Sequence, residues 1–583
     1  MNSPDDEQSR ELRIFQGEKV EVVFRKAKPV AESRGLHDAF APGVTVKDGI
    51  RYERDVAVRL RDGTTIYTDV YRPDGATDVP AIVAWSPYGK RAGYAGMNFM
   101  LGVPEGTNSE MTKFEGPDPA YWCYQGYAVI NPDARGAGHS EGDQSVFGSD
   151  EGRDCCDLIE WVAAQEWSNG RVGMSGDSWL AVIQWFAAAE QPPHLACIAP
   201  WEGFVDSYRS FCRPGGIVQS GFLQFITDFI GYGPGRVEDF LTMTREHPLM
   251  DAYWDDKVAA LDRIRVPAYI TAGWNLPLHL HGSIEGFRRI RSPQKWLVAH
   301  REFEWRYYYT PENLEDLRRF FDRYLKGIRN GWELTPPVRI DVMDAFDADD
   351  QVRRAENEFP LARTQYHELF LDAGGRRLSP TPLLAESSIS YDAVDGLVTF
   401  ETTFDEDTEL TGYLKLRLWV EARGSDDMDL FVTVQKVDDE GNPVPTVNAI
   451  GPNPGASGML RVSHRELDEA RSTPFEPVHT HRREQLLEPG QVVPVDIGIG
   501  PTSRLWHAGE RLRVVVSGHP LQAPGLGSGD PFELRNRGEH VIHTGGTFDS
   551  HLLVPVIPGG RSLNRDKGRD QAVKRFTQQQ VGS

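Results

Sequence analysis

The residues with the most chemical content are Gly176-Asp177-Ser178-Trp179-Leu180-Ala181. A short strand pattern, RVGMSG (171–176), runs into them, and a helical pattern, SWLAVIQWFAAAEQ (178–191), follows. A sharp strand-to-helix turn lifts one side chain above the sheet edge, at a helix N-terminus. Small residues at 176 and 181 relieve the crowding around such a turn. A serine held this way is a nucleophile, and the backbone N–H of Trp179 then points at a developing oxyanion. The pattern is G-x-S-x-x-A rather than G-x-S-x-G. A plain N-cap serine is the competing reading, and the flanking strand and helix favour the nucleophile. No thiol competes for the role. The five cysteines (Cys123, Cys155, Cys156, Cys197, Cys212) include no C-x-x-C pair and form no disulfide framework.

The elements that must position Ser178 alternate. DVAVRL (55–60) and TTIYTDVYRP (64–73) flank the turn signal Asp62-Gly63 and predict a hairpin. PAIVAWSPY (80–88) and YAVINPDARG (127–136) are continuous apolar runs suited to strands buried on both faces. DCCDLIEWVAAQ (154–165) has helical spacing, and HLACIAP (194–200), VPAYITAGW (266–274) and KWLVAH (295–300) read as further strands. Strands alternating with helices imply a parallel sheet. Residues 203–262 interrupt the rhythm with helical patterns and form a candidate cap. Its Phe222, Phe225 and Phe229 read as packing residues that could also wall an apolar acyl pocket. NLEDLRRFFDRYLKG (313–327) carries one apolar stripe and a glycine stop. After Pro336 nearly every segment is strand-like, from VRIDVMDA to HLLVPVIP, which predicts an antiparallel sandwich. The expected organisation is an N-terminal extension over 1–50, an α/β domain over 51–202 and 263–330, a helical cap over 203–262, a β domain over 337–560 and a polar tail over 561–583.

Of 583 residues, 63 are Lys or Arg and 86 Asp or Glu, a net charge of −23. That balance argues against nucleic acid and against an anionic membrane surface as partners. The start lacks the cationic and apolar regions of a signal peptide, and no apolar run reaches the roughly 18–20 residues of a membrane span. The cytoplasm is the expected compartment. No metal or other cofactor is expected. His279 and His281 read as facing the cap or the substrate, and His479 and His481 as a surface loop.

Taken together, these stretches resemble the CocE/NonD family of α/β hydrolases, the cocaine esterase/X-prolyl dipeptidyl aminopeptidase group. The resemblance rests on the elbow, the hairpin from Asp55 to Pro73, Trp85-Ser86-Pro87-Tyr88-Gly89-Lys90, Asp133 to Gly142 (DARGAGHSEG), and Ser503 to Gly518. It covers roughly residues 50–560. It implies an α/β hydrolase with an inserted helical cap and a C-terminal all-β jelly roll of galactose-binding-like type. It also implies cleavage of an ester or amide through an acyl-enzyme. By position Ser178 matches the nucleophile, and Tyr88 the tyrosine whose hydroxyl joins the Trp179 N–H in the oxyanion hole. Asp133 and Arg135 are expected to brace loops near the elbow.

His300, ending KWLVAH, falls close to where the family places its base. In the register of the family's G-P-W-x-H, the histidine falls on Glu304 instead. The family's acid follows G-W-x-D, and here Gly273-Trp274-Asn275-Leu276 puts leucine at that position. Leucine cannot stabilise an imidazolium. Three readings stay open: Glu202 or Glu304 substitutes as the acid, Asn275 orients the imidazole, or the site is a weakened dyad. The expected function is a serine hydrolase acting on a small-molecule ester or amide, and a homo-oligomer stays open. The alternatives are acyl transfer or another repurposed reaction, and a catalytically silent binding protein. Carbohydrate binding by the jelly roll rests on fold analogy alone.

Overall fold

The computed structural model describes residues 8–91, 102–346, 348–448, 451–521 and 532–563. An antiparallel hairpin, β1 (Gln8–Phe15) and β2 (Glu18–Lys26), comes first. The main sheet then gathers β3 (Gly43–Lys47), β4 (Ile50–Arg59), β5 (Thr65–Pro73), β6 (Val79–Val83), β7 (Ala128–Pro132), β8 (Ser168–Asp177) and β9 (Leu195–Trp201). After an inserted segment carrying β10 (Arg236–Glu238), it resumes with β11 (Ala268–Gly273), β12 (Lys295–His300), β13 (Val338–Met343) and β14 (Asp349–Glu356). The order across the sheet is β3-β4-β5-β7-β6-β8-β9-β11-β12-β13-β14. Pairing is parallel from β7 to β13 and antiparallel at both margins.

The buried apolar runs explain the parallel centre. Every residue of β6, β7 and β11 is buried, as strands covered on both faces require. Coverage comes from α1 (Ser149–Ala163) and α2 (Trp179–Ala189) among others. All of α2 is buried, which its all-round apolar sequence allows. The Asp62-Gly63 hairpin forms as β4 and β5.

The segment inserted between β9 and β11 holds α3 (Ser220–Ile230), α4 (Phe240–Glu246) and α5 (Ala252–Asp256). It is not wholly helical, because β10 pairs antiparallel with β2 and ties the N-terminal hairpin to it. Two further helices follow the sheet strands near the site: α6 (Pro277–Arg289) after β11 and α7 (Glu304–Tyr309) after β12. The stripe expected over 313–327 becomes α8 (Pro311–Tyr324).

The C-terminal part is mostly strands. A long strand, Thr408–Arg423, pairs antiparallel with Val493–Trp506, Glu539–Thr544 and His551–Val556. A second set joins Asp429–Val437 to Ala456–Arg461 and Arg511–Ser517. Leu414, Leu416, Leu418 and Val420, alternating along the long strand, lie in one apolar core. The change of character after Pro336 does not coincide with the end of the main sheet. β13 pairs with β12, so the strands over 338–356 extend the α/β sheet. Lys436, 1 % exposed, joins the two parts by pairing with Asp344 (2.6 Å) and Glu510 (2.9 Å). None of the described helices is long and apolar enough to cross a membrane.

Candidate active site

Ser178 sits where β8 ends and α2 begins, with φ 53° and ψ −116°. A non-glycine residue in that region is strained by about 1–3 kcal/mol and persists only where its surroundings hold it. Its amide donates to the Trp201 carbonyl (3.3 Å) and to Asp177 Oδ1 (3.2 Å). Its carbonyl accepts from Ala181 and Val182, each at 2.9 Å. The hydroxyl caps no helix N–H, so this is not a plain N-cap serine. The small residues have steric reasons. A Cβ on Gly176 (φ 141°) would stand 2.4 Å from Leu180 Cβ. Ala181 is itself approached by Gly203, where an added Cβ would lie 2.8 Å from Ala181 Cβ.

Ser178 opens onto a cavity of about 820 Å3, whose wall near it includes Tyr88, Glu115, His279, Glu304 and Trp305. Tyr88 packs edge-on against Trp179, Phe114 and Phe229, at centroid distances of 5.8, 5.3 and 5.5 Å. The loop, the elbow and α3 therefore fix its ring together. The Trp179 indole is anchored by Glu151, whose Oε1 accepts from Trp179 Nε1 (3.0 Å) and Trp85 Nε1 (2.8 Å). Burial pushes the Glu151 carboxyl up to about 7, with both indoles opposing. Farther out, Asp133 pairs with buried Lys90, and Arg135 with Asp154 (2.6 Å) and Asp62 (2.8 Å).

Buried carboxyls crowd the elbow. Asp177, Glu202 and Glu115 are 0, 1 and 2 % exposed, and the Glu304 side chain is 7 % exposed. Burial raises Asp177 and Glu304 well above the carboxylate range, and neighbouring carboxylates add to it. Burial also pushes Glu115 up to about 8. Three donors oppose that rise: the Trp305 indole, the Ser178 hydroxyl and the Trp179 N–H. The indole bond to Glu115 Oε1 is 3.0 Å, whereas Oε2 has no well-formed partner among the described residues. Glu115 thus shares the N–H expected to serve an oxyanion. No sequence motif marks it, and its place is set by the Asp177 N–H bond to its carbonyl (3.0 Å).

Two imidazole–carboxylate pairs stand near the elbow, and one of them, His300 with Glu202, is a pair the sequence suggests. His300 meets a carboxylate, but it is Nε2 rather than Nδ1 that lies 2.8 Å from Glu202 Oε1. Its ring is 1 % exposed and stacked on Tyr307 at 3.5 Å. Glu202 Oε2 accepts from the Gly273 N–H (2.7 Å), so Glu202 and His300 tie together the ends of β9, β11 and β12. His300 is not among the residues lining the cavity, whereas His279 is. His279, on the first turn of α6, stacks on Phe204 (5.7 Å), with Nε2 3.9 Å from Glu304 Oε2. Neither His279 Nδ1 nor Glu304 Oε2 has a hydrogen bond among the described residues. Burial lowers His279 to about 4, so it is neutral at pH 7. Asn275 is engaged elsewhere, accepting from Thr446 Oγ1 (2.7 Å) and donating to the Arg301 carbonyl (3.0 Å). Leu276 is the residue before α6 and lines the cavity. His479 and His481, read as a surface loop, are instead 8 and 3 % exposed and form cavity wall. They are held there by the Arg209 bond to the His479 carbonyl (2.9 Å) and by the approach of His481 to His464 (3.0 Å).

Comparison with known proteins fits this arrangement. The X-Pro dipeptidyl-peptidase (S15 family) profile matches residues 62–231, and the X-Pro dipeptidyl-peptidase C-terminal non-catalytic domain matches 330–553. A cocaine esterase of Rhodococcus sp. (strain MB1 Bresler) is 25% identical, over 86% of this chain and 98% of its own. An α-amino acid ester hydrolase structure is 18% identical, with a TM-score of 0.66 over 88% of this chain and 98% of its own, and shares the fold. The crystal structure of a CocE/NonD family hydrolase from Staphylococcus aureus is 36% identical, with a TM-score of 0.84 over 91% of this chain and 99% of its own. With that identity over nearly the whole of both chains, and with the elbow and both domain matches in place, this chain belongs to the CocE/NonD family, an enzyme of the esterase-like hydrolases.

Proposed function

We propose that the chain is a serine hydrolase cleaving a small-molecule ester or amide through an acyl-enzyme on Ser178. One observation carries the reading: a strained serine at a buried strand-to-helix turn, uncapped and opening on a large cavity. In this mechanism the Ser178 hydroxyl attacks the carbonyl carbon while His279 takes its proton. Glu304, ionised in the productive state, stabilises the imidazolium that forms. The Trp179 N–H and the Tyr88 hydroxyl hold the oxyanion, and Glu115, neutral below about pH 8, adds a third donor there. The imidazolium returns the proton to the departing alkoxide or amine. Water then reacts by the same route and frees the serine.

His279 is preferred to His300 because it shares a cavity wall with Ser178 and Glu304, while His300 faces Glu202. In this mechanism the helix after β11 offers the imidazole and the helix after β12 the carboxylate. The segment over 203–262 acts as a cap, supplying Phe222, Phe225 and Phe229 to the cavity wall. The C-terminal strands form the jelly roll of galactose-binding-like type.

Intact-mass analysis after brief exposure to p-nitrophenyl butyrate tests the proposal. The expected result is one butyryl group, mapped to Ser178 and absent from Ser178→Ala. His279→Gln should slow acylation about 100-fold or more, in the range of general-base catalysis. If folded His300→Gln loses acylation while His279→Gln keeps the wild-type rate, the assignment of the base is wrong.

A further inference from the structure

Away from Ser178, the same cavity changes sign. Arg209, Arg288, Arg289 and Arg471 line it, facing three carboxylates, Asp206, Glu285 and Glu476. Those carboxylates are already engaged. Asp206 pairs with Arg209 at 2.7 Å, and Arg288 lies between Glu285 (2.7 Å) and Glu476 (2.6 Å). Glu476 is also 3.1 Å from His281. Arg209 spends its remaining donors on the His479 and Thr480 carbonyls.

Two guanidiniums are left over. Among the described residues Arg289 has a single distant ion contact, 3.8 Å from Glu285. Arg471 has no ion pair and no side-chain hydrogen bond among the described residues; its backbone N–H alone bonds to Asp468. Arg471 is an exposed residue that lines the cavity, and the partial burial of its side chain lowers its pKa. Arg209 and Arg289 lower it further, while Asp206 and Asp468 oppose. A guanidinium with no ion pair among the described residues and two others near it lacks a counter-charge, which is unfavourable in the free protein. It becomes favourable when an oxyanion fills the fork. The same wall also includes the apolar Val205, Ile226, Leu278 and Leu280.

Building on the serine-hydrolase reading, we infer that Arg471 and Arg289 form an anion subsite. The substrate is then an ester or amide whose far end carries an oxyanionic group, carboxylate or phosphate, joined to the scissile carbonyl by an apolar spacer. The subsite requires no reaction, so it can be tested by binding alone.

The binding test uses Ser178→Ala protein and isothermal titration with octanedioic acid monomethyl ester, its dimethyl ester, and octyl phosphate. The two anionic compounds should bind about tenfold or more tightly than the neutral diester, the range for a hydrogen-bonded charge. Arg471→Gln should erase the difference, and Arg471→Lys, a point charge without the fork, should keep part of it. Preference for one anion over the other identifies the group. Equal affinity of the neutral and anionic compounds, or a preference unaffected by Arg471→Gln and Arg289→Gln, overturns the inference. A turnover test with p-nitrophenyl esters ending in carboxylate or methyl ester separates the two readings. Ser178-dependent cleavage without preference for the anion leaves the hydrolase and removes the subsite. Anion-selective binding without cleavage of either ester leaves the subsite and removes the hydrolase.

Discussion

Replacing Glu115 with glutamine puts a number on the buried carboxyls. Glu115 is 2 % exposed, and its carboxyl is raised from 4.5 to about 8. Below pH 4.5 it is protonated in both folded and unfolded chains and contributes nothing to the pH dependence. Between 4.5 and 8 the unfolded carboxyl ionises while the folded one keeps its proton, so stability falls as pH rises. Above 8 the full penalty is in place, roughly 5 kcal/mol at about 1.4 kcal/mol per tenfold, and roughly 3 kcal/mol at pH 7. Glutamine has the same shape, accepts the Trp305 indole bond and does not titrate. Its second amide hydrogen adds a constant offset of about 1 kcal/mol that does not vary with pH. The thermal midpoint of Glu115→Gln relative to wild type should therefore climb with pH. It should differ little at pH 5 and by roughly 10 °C at pH 9, at about 2 °C per kcal/mol for a domain of this size. Differential scanning fluorimetry across that range reads it directly. A difference that stays flat, or that shrinks as pH rises, refutes the claim that the site holds a neutral carboxyl at pH 7.

Other consequences are as specific. Acylation of wild type should follow a bell in pH, with an acid limb above the usual carboxylate range because Glu304 is raised. Its alkaline limb should lie near 8, where Glu115 ionises beside the oxyanion, and Glu115→Gln should flatten that limb in stopped-flow traces. Lys436→Met leaves Asp344 and Glu510 buried without their shared cation and should destabilise the protein by about 3–5 kcal/mol in urea titrations. Gly203→Ala drives a methyl group into Ala181 and its backbone, so a loss of roughly 1–3 kcal/mol is expected by the same titration. A slower acylation should accompany it, because the clash falls on the elbow.

The sequence was most informative where the determinants are local. Strand, turn and helix around Ser178 are contiguous, and the glycine and alanine that make room for the turn lie within five residues of each other. Tyr88 follows a buried strand that its apolar run reveals. Pairings between distant segments were less legible. β10 is three residues long, too short for a period to show, yet it binds the N-terminal hairpin to the inserted segment. The strands over 338–356 have the same alternating pattern as the sandwich that follows, and only their hydrogen bonds place them in the α/β sheet. Within the site, spacing suggested His300 because it ends a strand near the right place. The structure does bring that ring to Glu202, one of the expected carboxylates, and stacks it on Tyr307, but it leaves His300 out of the cavity wall that holds Ser178; packing between β9, β12 and α7 decides this. Glu115 had no signal at all, since a glutamate in a loop is ordinarily solvated and only the tertiary fold buries it beside Ser178.

The central claim is that Ser178 is an activated nucleophile. A fluorophosphonate probe with peptide mapping by mass spectrometry tests it most directly. The account predicts stoichiometric modification of Ser178 in native protein, none in Ser178→Ala, and none after denaturation of wild type. Native protein that stays unmodified, or modification that persists in Ser178→Ala, would contradict it.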